Sequence, residues 1–220
     1  MAKNEARSGK DVKPGAIAAK AIGEVLSASI TDLVAECWQE QSESGFAPEL
    51  PPRPAFGSFL RVTSSDNALN IYAVVVDVAT GPSDTVHKPT ALRLTRDQLR
   101  VEQPHIFALL RTDIHASIVG WSDAGSYFSG LPPHPPEVHD FVYPASDGEI
   151  RALTEDLEFV RLLSRVSRVP TDELIAASIR IACNARGGDY AFLVSAGQAL
   201  AQAFRDDYER LTSVLRKIKP

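Results

Sequence analysis

Apolar residues follow two different periods along this chain, and the change falls near residue 146. Ahead of it they come in short β-branched or aromatic runs broken by Gly, Pro, Ser and Asn, the pattern of strands and turns. Behind it they recur every three or four positions, the pattern of amphipathic helices.

In AIGEVLSASITDLVAECWQ, from Ala21, the β-branched or aromatic positions are Ile22, Val25, Ile30, Val34 and Trp38. The alanines would allow a helix, but Ser27, Ser29, Ile30 and Thr31 lose side-chain freedom there and suit a pleated strand. The segment is read as one long bent strand or two consecutive strands. QEQSESGFAPELPPRP is a loop, since Pro51, Pro52 and Pro54 remove backbone donors. AFGSFLRVTSS and LNIYAVVVDVAT read as a hairpin turning around Ser64 to Ala68. The run Ala73, Val74, Val75 and Val76 has no alternation, as in a strand covered on both faces.

After the loop GPSDTVHKP, TALRL reads as a further short strand. From Thr95 to Arg111 the spacing is helical, with Thr95 as N-cap and Pro104 dividing the segment into two pieces. HASIVGW, residues 115 to 121, is another strand. The prolines of GLPPHPPEVHDFVYPAS impose an extended stretch before a last short strand at Phe141 to Tyr143.

Leu153, Leu157, Val160, Leu163 and Val166 form one stripe of a helix starting near Ser146 or Asp147. Pro170 and Thr171 open a second, through Leu174, Ile175, Ile179 and Cys183, that stops at Gly187 and Gly188. The third runs from Leu193 through Phe204 to Ile218. The expected order is a tail at 1–18, a small β-barrel at 19–145 and a bundle of three helices at 146–220.

Composition narrows the class. With 220 residues, 44% hydrophobic and 23% charged, the chain is a folded globular protein. No apolar run is long enough for a membrane span and the first fifteen residues hold no secretory h-region, so a cytoplasmic protein with no membrane partner is expected. Cys37 and Cys183 lie far apart without CxxC spacing and read as reduced core residues. The whole net charge of −5 falls ahead of residue 146, and no basic stripe is visible, so direct nucleic-acid binding is not expected.

Motifs for chemistry are sparse. There is no GxxxxGK[ST] and no GxGxxG. Gly120-Trp121-Ser122-Asp123-Ala124 resembles a nucleophile elbow, but GSYFSGLPP follows and cannot start the helix an elbow needs, so Ser122 is read as a turn residue. His134 and His139 could meet Glu137 and Asp140 around a metal, but a Pro-rich loop is a poor cage. Asp123, Glu137 and Asp140 lie close in sequence, which does not set their separation in space. No catalytic residue, metal ligand or cofactor is expected.

The succession Ile22-Gly23-Glu24-Val25, FGSFLRV, IYAVVVDV, ASIVGW and LPPHPPEVHDFVYP resembles the HAS barrel found at the N-terminus of HerA-type DNA translocases and of rotary ATP synthase subunits. In particular it looks like the stand-alone HAS-barrel proteins of bacteria such as cyanobacteria, with EQPHIFALLRT as the inserted helix. The resemblance implies an α+β fold: a small antiparallel six-stranded β-barrel with an inserted helical segment, then the C-terminal helices. It also implies a non-enzymatic adaptor or assembly module whose protein partner is a ring ATPase or a copy of itself, accessory to a HerA-type translocase. The ATPase domain of those proteins has no counterpart here, and no nucleotide-binding residue is carried over.

Tyr127, Phe128, Pro133, Pro135 and Pro136 are the expected partner-binding surface; the same loop could equally fold back to close the barrel mouth. Two alternatives stand beside the adaptor. One is a small-molecule or hydrolytic enzyme with a site between barrel and helices lined by His134, His139 and Asp140. The other is a weak nucleic-acid-binding barrel, which the acidic balance disfavours.

Overall fold

The structure, a computed structural model, describes residues 21–38, 53–64, 69–83 and 90–218. The expected tail at 1–18, most of the first proline loop, the turn after Ser64 and His87 lie outside these residues.

The segment from Ala21 forms two strands, β1 (Gly23–Ala28) and β2 (Asp32–Cys37), paired antiparallel. Their turn is tied by Asp32, whose Oδ2 accepts from the hydroxyls of Ser29 (2.8 Å) and Thr31 (2.7 Å). The hairpin read from AFGSFLRVTSS and LNIYAVVVDVAT is β3 (Phe59–Thr63) with β4 (Asn70–Pro82). β5 (Leu110–Asp123), β6 (Ser126–Ser129) and β7 (Phe141–Pro144) complete the sheet. Every pairing is antiparallel, in the order β2-β1-β7-β3-β4-β5, and a β2–β5 pairing closes these six strands into a barrel. β6 stands outside the ring as a flap on β5.

Between β4 and β5 lie α1 (Arg96–Glu102) and α2 (His105–Ala108). Thr95 closes a capping box with Gln98 at the start of α1, and Pro104 separates the two helices as expected. The strand expected at TALRL is absent: residues 90–94 belong to no element, and Arg93 takes a left-handed φ of 58°. The physical reason is that β4 is already flanked by β3 and β5, so the closed ring offers that segment no edge.

The C-terminal part holds five helices where three were expected: α3 (Asp147–Leu153), α4 (Phe159–Leu163), α5 (Thr171–Asn184), α6 (Tyr190–Ala203) and α7 (Tyr208–Lys217). The first expected helix breaks where Leu157 adopts φ 57° and Asp156 Oδ1 accepts from the Glu158 amide (3.0 Å). The third breaks after Phe204, where Asp207 accepts from the Arg210 amide (3.0 Å) and caps α7. In both places a short acidic side chain offers the backbone a local bond that ends one helix and starts the next, while the apolar spacing runs on.

Two cores share β4. Ile71, Ala73 and Val75 point into the barrel with Val25, Leu60 and Ile114. Val74 and Val76 point outward, with Phe59 and Val119, onto α3, α4 and α5. The run without alternation is thus covered on both faces, as read. α5 seats closely against the barrel at Gly57, which has φ 79°, and a Cβ there would stand 2.7 Å from Ala177 Cβ. Only glycine meets both demands.

Candidate functional site

The β5–β6 turn passes through Ala124 (φ 45°) and Gly125 (φ 85°), a two-residue hairpin with both central residues left-handed. The flap it builds pairs with β5 alone among the described strands, so its outer edge is open. Tyr127 and Phe128 leave it on opposite faces. Tyr127 lies 5.8 Å from the Tyr72 ring, and Phe128 stacks on Trp121 at 4.3 Å. Each keeps its other face in solvent, at 39% and 42% exposure.

The following loop is fastened at both ends. The Gly130 amide donates to Val119 O (3.0 Å) and the His139 amide to Val25 O (2.9 Å). Asp140 is buried, and its Oδ2 accepts from the Glu137 amide (2.9 Å). Of the prolines expected there, Pro133 and Pro135 are exposed, whereas Pro136 is buried with Pro132. The two alternate because prolines at 132 and 136 turn inward while those between face water.

Behind the flap runs a polar seam that sequence reasoning missed. Glu149, at the third position of α3, is buried. Its Oε2 accepts from the Ser146 amide (2.7 Å) and hydroxyl (2.8 Å), and its Oε1 accepts from Arg61 (2.8 Å) and from the Tyr72 hydroxyl (3.2 Å). Burial pushes the Glu149 pKa up, but the Ser146 donors and the Arg61 guanidinium outweigh it and leave it lowered. Burial pushes the Tyr72 hydroxyl well above its ordinary range. Arg61 also lies over the Tyr143 ring at 4.9 Å.

With each of these groups bound to its neighbours, the arrangement suits anchoring of α3 on the barrel. The readable signal was the capping box Ser146-x-x-Glu149. Its partners Arg61 and Tyr72 sit on strands far back in the chain.

Ser122 is not a turn residue. It is a buried strand residue whose hydroxyl meets the Tyr72 hydroxyl (3.3 Å) and the Asn70 amide (3.5 Å), and among the described residues no imidazole is bound to it. His134 is exposed. His139 is exposed too, with Nδ1 3.2 Å from Glu24 Oε2, and Glu24 Oε1 accepts from Trp38 Nε1. Asp123 sits on the flap hairpin, and of the other two candidate carboxylates Asp140 accepts from the Glu137 amide. A cleft of 460 Å³ does open between barrel and helices, but none of His134, His139 or Asp140 lines it. Among the described residues no cluster of three His, Cys, Asp or Glu could hold a metal, and no helix is long and apolar enough to cross a membrane. No model of a known protein family and no curated protein matches the chain, so the functional reading rests on its own residues.

Proposed function

We propose that this chain is a non-enzymatic adaptor or assembly module of the cytoplasm, a barrel that joins a ring, its own or that of a separate ATPase, through the β6 flap. The open edge of β6 is the observation behind this reading. An unpaired edge presents a row of backbone donors and acceptors that another strand can match, and natural proteins blunt such edges with charge or proline when they are not used. β6 reads Ser-Tyr-Phe-Ser, with neither. The half-exposed rings of Tyr127 and Phe128 and the exposed Pro133 and Pro135 beside it supply aromatic and extended contact surface. The likeness to HAS barrels, which assemble side by side, points the same way.

The experiment is native mass measurement of the full chain, alone and after chemical cross-linking in cell extract, for wild type and for Y127K/F128K. Lysines on an edge oppose strand pairing. The expected result is a higher assembly, or one cross-linked ring subunit, that is lost in the double variant while the melting curve is kept. A monomeric wild type whose cross-linked products are the same in the variant would sink the proposal.

A further inference from the structure

In the helical layer, α6 breaks the pattern of its neighbours. The other C-terminal helices each expose a guanidinium: Arg151 on α3, Arg161 on α4, Arg180 on α5 and Arg216 on α7. α6 exposes no charge at all. Between Asp189 and Arg205 the chain holds no Asp, Glu, Lys or Arg, the longest such run in the sequence. A helix without a charged face is ordinarily buried, yet α6 lies on the outside of α4, α5 and α7. Phe192, Ala196 and Leu200 take the inner side and are buried. Tyr190, Val194, Gln198 and Ala201, at helical spacing, face away and are exposed, Tyr190 at 74% and Val194 at 45%. A ring and a branched apolar side chain on an uncharged face have the composition of a covered surface.

The charge pattern points to what covers it. A second copy carries the same net charge of −5, so two copies repel wherever they present charged surface to each other. At a two-fold axis each side chain lies near its own mate, and a neutral face meets itself with no like charges opposed. The sizes fit as well. A two-fold crossing α6 near Ala196 sets position 190 against 201 and 194 against 198, so the Tyr190 ring falls on the small Ala201 of the second copy. That arrangement is antiparallel, with the positive end of each helix dipole beside the negative end of the other. A parallel pair would stack Tyr190 on Tyr190 and oppose like ends.

We propose that α6 is a homodimer interface in which Tyr190 and Val194 of each copy pack antiparallel on Ala201 and Gln198 of the other. The contact is separate from the β6 flap and does not rest on it. One helix pair covers less than the roughly 1,600 Å² of a standard interface, so the dimer is expected to be weak and concentration-dependent.

Sedimentation velocity of the full chain at rising concentration is expected to show reversible monomer–dimer exchange, unchanged in Y127K/F128K. V194E sets a carboxylate near its own mate and is expected to raise the dissociation constant about tenfold or more. Residue 194 is half-exposed, so the melting curve should be kept. Cys37 and Cys183 are buried, so a short bis-maleimide reads an introduced thiol. Q198C is expected to cross-link to itself, and A203C, on the side of α6 toward α4, is not; this pair carries the test if V194E melts early. A wild type monomeric at every concentration, a dimer as tight in V194E, a dimer abolished by Y127K/F128K, or A203C linking as readily as Q198C would each overturn the proposal.

Discussion

The inside of the barrel and the layer outside it are built from different residues although they share a strand. Inside, the buried cluster is Val, Leu, Ile, Ala and Cys with no aromatic ring. Outside, under the helices, Phe59, Phe159, Phe192 and Phe204 take part. Six strands fix the radius of a closed ring, so its interior has a ceiling on side-chain size. Helices packing on a wall can settle at the distance their side chains require, so rings fit there. The two cores should therefore fail in opposite ways, the outer one when emptied and the inner one when overfilled.

The largest effect is expected outside. Phe159 is fully buried and meets Phe59 edge to face at 5.8 Å. F159A should cost about 3–5 kcal/mol by urea unfolding. The opposite failure comes next: Ala116, 2% exposed, packs in the inner cluster of the closed ring. A116L should cost about 1–3 kcal/mol, while A116G costs less; an A116L barrel as stable as wild type would mean the ring can widen.

At the seam between the layers, E149Q should cost about 1–2 kcal/mol near neutral pH. Because the folded-state pKa of Glu149 is lowered, its contribution is present above the usual carboxylate pKa of about 4.3 and is lost as pH falls through the folded value. Urea midpoints against pH should thus fall less steeply on the acid side in E149Q than in wild type. A parallel pair of curves would show that Glu149 is not held ionised.

The smallest effect separates the layers most finely. Cys37 faces the barrel interior, and burial pushes its pKa up to about 11; Cys183 lies in the outer core, where burial also raises it. Both thiols should resist alkylation near pH 8 until the chain unfolds, and at equal rates if the two cores melt together. Faster labelling of Cys183 would show helices leaving a standing barrel.

Local features were the legible ones. Thr95, Pro104, the Pro170 helix start and the paired glycines at 187 and 188 act on the backbone within a few residues, so their effects can be read without the fold. The covered run at Ala73–Val76 was legible because burial on both faces erases alternation. Tyr127 and Phe128 stood out as aromatics in a polar loop, but the four-residue strand holding them is too short for its period to show. At Asp156 and Asp207 the apolar spacing ran on and concealed two helix breaks. Of the Arg61–Tyr72–Glu149 seam only the capping box at Glu149 was legible, because only the folded barrel brings Arg61 and Tyr72 to it.

Ring closure has a consequence for how this chain finds its structure. The strands that shut the barrel pair Asp32–Glu36 with Asp113–Ser117, so the join waits until most of the intervening polypeptide has wrapped around. The entropy of holding so long a loop is spent before the final ladder returns anything, and high contact order of this kind slows folding. The pairing of β1 with β7, Gly23 with Val142, spans still more chain, so the last step of assembly is expected to be the entry of β7 between β1 and β3, whose edges stay unmatched until it arrives.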